Sequence, residues 1–197
     1  MSRQATVQRA THETRMTCTL NLDGSGQTDL VTPIPFFTHM LDALCRHANL
    51  DVVLRVEGDV EVDQHHTVED TGLVLGQALR EALGEKRGIR RMGSAWVPMD
   101  EALGFAAVDL SGRPYFAFSG AFDKRLQGAL DLDLVPEFFR SLATEGRLNL
   151  HLTIATGDNE HHKVEALFKA CGRAIADAVA LDPQRTGLVP STKGTLT

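Results

Sequence analysis

The sequence predicts an α+β protein made by tandem duplication of one unit, ordered hairpin, helix, strand, helix. Three observations predict it. A His-His-x-x-Glu cluster occurs twice, as His65-His66-Thr67-Val68-Glu69 and, 96 residues later, as His161-His162-Lys163-Val164-Glu165. An i, i+3, i+4, i+7 apolar pattern also occurs twice, as Phe37, Met40, Leu41, Leu44 and, 98 residues later, as Val135, Phe138, Phe139, Leu142. That spacing puts four apolar side chains on one face of a helix. At the same offset an alternating strand recurs, first as Leu50, Val52, Leu54, Val56 and then as Leu148, Leu150, Leu152, Ile154. Matching order, period and motif mark an internal repeat. Residues 1–92 form the first half and 93–197 the second, together one compact domain.

The elements follow in order. Residues 3–31 read as a hairpin, with strand-like alternation in part of Val7 to Leu22 and a turn at Asp23-Gly24-Ser25-Gly26. Pro33 and Pro35 punctuate the chain before the first helix. His39 and Asp42 lie off that helix's apolar face, and His47 sits near its end. In the following strand Asp51, Val53, Arg55 and Glu57 alternate with the apolar set, so one face is buried. The first His-His helix carries Val68, Leu75 and Leu79 on one side and stops near Leu83-Gly84, glycine being a helix stop signal. In the second half Ala95 to Val108 reads as a strand, Asp109-Leu110-Ser111-Gly112 turns, and Arg113 to Phe118 reads as the return strand. Helix and strand then repeat, and the second His-His helix carries Val164, Cys171 and Ile175 on one face.

Composition bounds the function. With 43% hydrophobic residues, 197 residues can bury a core. A net charge of -6 and a pI near 5.7 argue against a nucleic-acid surface. Cys18, Cys45 and Cys171 are far apart, odd in number and without CxxC spacing, so they read as reduced, buried thiols of a cytoplasmic protein. The polar, charged start is no signal peptide, and no apolar run reaches the roughly 20 residues of a membrane span.

The chemistry is in the repeated cluster. On a helix the Glu lies three residues from the second His and four from the first, so it can share an ion with either. Adjacent His side chains diverge by about 100°, which points the two imidazoles at different metal sites. A single His-His pair is ordinarily a solvated helix start; two pairs with the same Glu at matched places in a repeat indicate metal ligation. At the 98-residue offset His39 aligns with Glu137. Each half thus offers four ligands: His39, His65, His66 and Glu69, then Glu137, His161, His162 and Glu165. Imidazole and carboxylate suit Mn²⁺, Fe²⁺, Ni²⁺ or Zn²⁺ and do not choose among them. There is no GxGxxG or P-loop, and Ser111, Ser119 and Ser191 lack a G-x-S-x-G context. The small, cationic tail Pro190-Ser191-Thr192-Lys193-Gly194 can bind phosphate through hydroxyls, backbone N–H groups and lysine. Arg113 can add a bidentate contact, and Arg90 and Arg91 stand beside another glycine-bearing stretch.

Together these residues resemble the imidazoleglycerol-phosphate dehydratase family of histidine biosynthesis. The resemblance rests on Glu13-Thr14, Asp23-Gly24-Ser25-Gly26, His39-Met40-Leu41-Asp42, Asp63-Gln64-His65-His66-Thr67-Val68-Glu69-Asp70 and Pro98-Met99-Asp100-Glu101-Ala102-Leu103. It continues through Asp109-Leu110-Ser111-Gly112-Arg113-Pro114, His161-His162-Lys163-Val164-Glu165-Ala166 and Pro190-Ser191-Thr192-Lys193-Gly194, so it spans nearly the whole chain. Glu137 departs from it, standing where many members are expected to have His.

The resemblance implies two halves, each a four-stranded sheet with two helices on one face, as in the ribosomal protein S5 domain 2-like fold. It implies dehydration of D-erythro-imidazole-glycerol phosphate to imidazole-acetol phosphate. Metal ions on both imidazole nitrogens would favour an imidazolate, whose electrons expel the neighbouring hydroxyl through a diazafulvene-like intermediate. Mn²⁺ is the implied metal, two ions per active site, and Glu13 the implied base. Asp42 and His47 stand at substrate-binding positions, and Arg91, Arg113, Lys169, Ser191, Thr192 and Lys193 at phosphate or substrate contacts. Similar proteins assemble as 24-subunit shells with sites between subunits. Two other classes use the same ligands: a dimetal hydrolase, and a metal-binding shell protein that would need neither Glu13 nor Arg113 nor the Lys193 tail.

Overall fold

The structure is a computed structural model and describes residues 3–196. In the first half, strands β1 (Gln4–Ala10), β2 (Thr14–Asn21), β3 (Thr28–Val31) and β4 (Asp51–Gly58) form a sheet ordered β1-β2-β4-β3. Helix α1 (Pro35–His47) lies between β3 and β4 in sequence, and α2 (His65–Leu83) follows β4. In the second half β5 (Met92–Met99), β6 (Ala102–Asp109), β7 (Tyr115–Ser119) and β10 (Asn149–Thr156) form a sheet ordered β5-β6-β10-β7, with helices α3 (Leu134–Gly146) and α4 (Glu160–Val179). A two-stranded ribbon, β8 (Leu126–Gln127) and β9 (Leu130–Asp131), interrupts the second half only. The fold is therefore α+β, two four-stranded sheets each with helices on one face, as the resemblance implied.

Three local readings are corrected. The first hairpin joins β1 to β2 and turns at Thr11–Glu13, where the Thr11 hydroxyl accepts the N–H groups of Glu13 (3.1 Å) and Thr14 (3.0 Å). Asp23–Gly26 instead carries the chain to β3, which runs parallel to β4 on the far side of the sheet. The stretch Ala95 to Val108 is two strands, β5 and β6, paired antiparallel across a turn at Asp100–Glu101 in which Asp100 takes φ +49°. A turn without glycine or proline carries no punctuation in the sequence. The return strand β7 does not pair back on β6; it lies parallel to β10.

The halves are joined through their helices. Helix α2 packs on α3 and α4 on α1, each pair spanning the repeat. Both contacts use the same glycine position. A Cβ on Gly76 would stand 2.5 Å from the Leu142 carbonyl oxygen, and a Cβ on Gly172 2.4 Å from that of Leu44. One continuous apolar core results, including Phe37, Phe138, Phe139 and Phe168. All three cysteines are free and buried within it. Burial pushes the thiols of Cys18 and Cys171 up to about 12. Among the described residues no helix is long and apolar enough to cross a membrane.

Candidate metal centre

Helix starts aim the repeated histidines. Asn159 caps α4, its side-chain oxygen accepting the N–H groups of His161 (2.9 Å) and His162 (3.4 Å). Before α2 the Asp63 side chain accepts the His65 N–H at 2.8 Å. Within each pair the imidazoles diverge, with planes 76° apart for His65 and His66 and 83° apart for His161 and His162.

One cluster is assembled by both halves. His39 on α1 meets His161 and Glu165 on α4, and one potential ligand atom from each lies within 4.8 Å of the others. Glu165 Oε2 is 3.0 Å from His161 Nε2 and 3.4 Å from His39 Nε2. Adjacent ligands on an ion at about 2.0–2.2 Å stand roughly 3 Å apart, so the spacing fits a divalent ion. Burial raises the Glu165 pKa, but hydrogen bonds from Lys169 and His161 outweigh it and hold the carboxyl below its usual range. Lys169 Nζ reaches the other Glu165 oxygen at 2.5 Å. Phe36 sets its ring edge-on to His161 and His39.

The pseudo-equivalent set is more open. His65 Nε2 stands 3.6 Å from Glu69 Oε2, and Glu137 Oε1 accepts from Arg140 at 2.5 Å. Among the described residues no metal-like cluster gathers Glu137 with His65 and Glu69. The second histidines face elsewhere. His66 has Asp59 at Nδ1 (3.2 Å) and Glu13 at Nε2 (3.7 Å). His162 has Glu101 at Nδ1 (2.7 Å) and Asp100 at Nε2 (3.7 Å). Carboxylate bonds from Asp59 and Glu101 raise the pKa values of His66 and His162. His162 and backbone N–H groups bring the Glu101 carboxyl down to about 2.

Glu101 is the residue that sequence reasoning passed over as a site member. It immediately precedes β6 as Glu13 precedes β2, 88 residues earlier, and each faces the second His of its half. The signal was present in the Asp100-Glu101 motif, hidden by reading one strand where there are two.

The remaining site residues fall in several places. Arg91 uses Nε and Nη2 on Asp109 (2.7 and 3.0 Å) and Nη1 on the Pro190 carbonyl (2.9 Å). With Ser191 and Thr192 it lines a cleft of about 380 Å³. The Lys193 N–H donates to the Ser191 hydroxyl at 3.2 Å, folding the tail into a turn. Arg113 lies in the bend before β7, its side chain exposed and its carbonyl accepting from Asn149 at 2.7 Å. Asp42 pairs with Arg46 at 2.7 Å and accepts the Thr28 hydroxyl. The imidazole of His47, at the end of α1, is pushed down by burial and then by Lys169 and Arg173. Among the described residues, Glu13 pairs with His66, while Lys169 pairs with Glu165.

A duplicated α+β fold with an imidazole–carboxylate cluster at a repeated helix start defines a class of protein whose side chains could hold a metal ion. Comparison with known proteins narrows the class. The Imidazoleglycerol-phosphate dehydratase family pattern matches residues 32–175. Relatives of that name include one from Acidiphilium cryptum, 55% identical over 196 residues covering 100% of both chains, and one from Symbiobacterium thermophilum, 55% identical over 96% of this chain and 91% of that one. The solved structure of the Staphylococcus aureus dehydratase superposes with a TM-score of 0.83 at 35% identity, covering 91% of this chain and 99% of the other. That from Pyrococcus furiosus gives 0.83 at 34% identity, covering 96% and 100%. The chain belongs to the imidazoleglycerol-phosphate dehydratase family, the hydro-lyases of that name in histidine biosynthesis.

Proposed function

We propose that this chain is a cytoplasmic, Mn²⁺-dependent dehydratase that converts D-erythro-imidazole-glycerol phosphate to imidazole-acetol phosphate and water. The observation that carries the metal dependence is the cluster of His39, His161 and Glu165, drawn from both halves at ligand spacing. Two ions held by His39, His65, His66, Glu69, Glu137, His161, His162 and Glu165 would supply Lewis acidity toward the two nitrogens of an imidazole ring. Carboxylates and imidazoles without thiolate accept Mn²⁺ among other divalent ions, and the family resemblance favours Mn²⁺.

The chain's own groups account for the rest. Glu13 presents a half-exposed carboxylate beside His66, outside both helix motifs, and serves as the base that takes the carbon-bound proton. The ring N–H proton and the hydroxyl on the adjoining carbon depart as water, Glu13 takes the one carbon-bound proton from the next carbon as the electrons return to the ring, the ring nitrogen is reprotonated, and the resulting enol becomes the ketone. Arg91, Ser191, Thr192 and Lys193 form the phosphate end with Arg113, while Asp42, His47 and Lys169 border the ring-binding end. These groups do not converge within one chain, and the paired histidines face different directions. This supports a reading in which the sites are completed between copies in a homo-oligomer, the 24-subunit shell of similar proteins being the assembly expected by resemblance.

Metal analysis of purified protein with an assay for imidazole-acetol phosphate tests this reading. Glu13→Gln should keep the fold and the metal and lose turnover, because an amide takes no proton at neutral pH. Near wild-type turnover would place the base elsewhere.

A further inference from the structure

Between β3 and α1 the first half spends only residues 32–34, whereas between β7 and α3 the second half spends residues 120–133. The unit folds without this insertion once, so the fold does not require it. Its placement is specific. Leu130 and Leu132 are buried in the core and Phe122 packs against it. Gly128 turns the ribbon with φ +58°, its missing Cβ 3.6 Å from Phe36, the ring that edges His39 and His161.

The two ends of the segment are gripped by side chains related by the repeat. Gln64 precedes His65 as Glu160 precedes His161, 96 residues later. Gln64 donates to the Ala129 carbonyl at 2.6 Å and accepts the Asp131 N–H at 3.3 Å. Glu160, 2% exposed, accepts the Asp123 N–H at 2.9 Å. Lys163, 3% exposed, ties Asp123 at 2.5 Å and Glu160 at 3.4 Å. The two helix starts otherwise belong to different packing pairs, α2 with α3 and α4 with α1.

We infer that residues 120–133 are a strap that sets the spacing of the two His-His helix starts, with Gln64 and Glu160 as its positioning residues. Neither residue need touch substrate or metal. Each fixes the turn that carries the ligand next to it, and the strap makes the two turns one rigid unit. A second-sphere contact of this kind supports metal affinity by holding ligands where the ion needs them. The inference rests on the proposed metal role only in its second readout.

The test uses metal-free full-length protein and the variants Gln64→Ala and Gln64→Glu. In hydrogen exchange, Gln64→Ala should speed exchange tenfold or more in 120–133 and also at the first turn of α4, with Gln64→Glu intermediate because it keeps the acceptor for Asp131. Acceleration confined to 129–131, or none, overturns the strap. Calorimetric titration with Mn²⁺ then uses a His65→Ala background, which removes the ligand beside Gln64. Adding Gln64→Ala there should weaken binding at His39, His161 and Glu165 by threefold or more. Unchanged affinity overturns the positioning role. If protein without any substitution binds no Mn²⁺ at all, the metal reading fails, and the exchange result alone decides the strap.

Discussion

Replacing Gly172 with alanine should force α1 off α4 and loosen the one metal-like cluster that both halves build. The new Cβ would stand 2.4 Å from the Leu44 carbonyl oxygen and 3.1 Å from both the Ala48 nitrogen and the His47 Cβ. Two of these three neighbours are backbone, which cannot rotate away. Relief to an ordinary contact distance requires the helices to part by roughly 1 Å. Overpacking of this kind costs about 1–3 kcal/mol, while alanine returns about 1 kcal/mol of helix propensity. The net expectation is a loss of up to about 2 kcal/mol, read as a lower urea midpoint with an unchanged slope. His39 rides on α1 five residues before Leu44, and His161 and Glu165 ride on α4. Metal sites tolerate ligand displacements of about 0.2 Å, so Mn²⁺ affinity should fall by about tenfold. Gly76→Ala is the matched control: its Cβ would meet the Leu142 carbonyl at 2.5 Å, costing similar stability while leaving the His39 spacing alone. A Gly172→Ala protein as stable as the parent, with unchanged Mn²⁺ binding, would refute the close-approach argument.

Four further outcomes follow from the same structure. Arg113→Ala and Lys193→Ala should each raise KM for the phosphorylated substrate, a lost charge-assisted contact being worth about 1.5–3 kcal/mol; unchanged competition by inorganic phosphate would reject the assigned role. Glu137→Ala should weaken one class of metal site selectively and Glu137→His should retain both, as equilibrium metal counts will show. Complete chelation should abolish turnover and shrink the sedimenting particle, because ligands shared between copies link metal binding to assembly; an unchanged particle would separate the shell from its metals. Asp51 accepts the N–H groups of Gln27 (2.9 Å) and Ser25 (2.8 Å), which holds its carboxyl below the usual range. A depressed carboxylate contributes stability above its unfolded pKa of about 3.9 and loses it as pH falls through the folded value. Asp51→Ala should therefore be less stable than the parent at pH 7 and approach it below about pH 4, and an equal gap at both would assign the effect elsewhere.

Much of the site was legible because it is local. The His-His-x-x-Glu spacing fixes which side chains share a helix face, and a period of 3.6 residues is written in any apolar sequence long enough to show it. The family motifs made Glu13 and the tail residues recognisable. Glu101 was not legible in that way. Its partner His162 lies 61 residues on, and the turn that presents it contains neither glycine nor proline. Arg91 was legible as a basic residue but not as one already committed to Asp109 and the Pro190 carbonyl.

By itself the sequence determined the duplication, the four long helices and their apolar faces, the two strands before the His-His helices, and the imidazole and carboxylate side chains of the candidate site. Each follows from the order of side chains over a few turns, where backbone geometry repeats. Tertiary structure alone decided that β3 and β7 run parallel beside β4 and β10, that each helix pairs with one from the other half, and that His39 therefore meets His161 and Glu165 rather than its own half's histidines. Those choices depend on contacts between residues far apart in the sequence, 24 positions for Thr28 with Val52 and 128 for Leu44 with Gly172. They are settled by which surfaces can close to within a glycine's width of each other, and no local pattern records that.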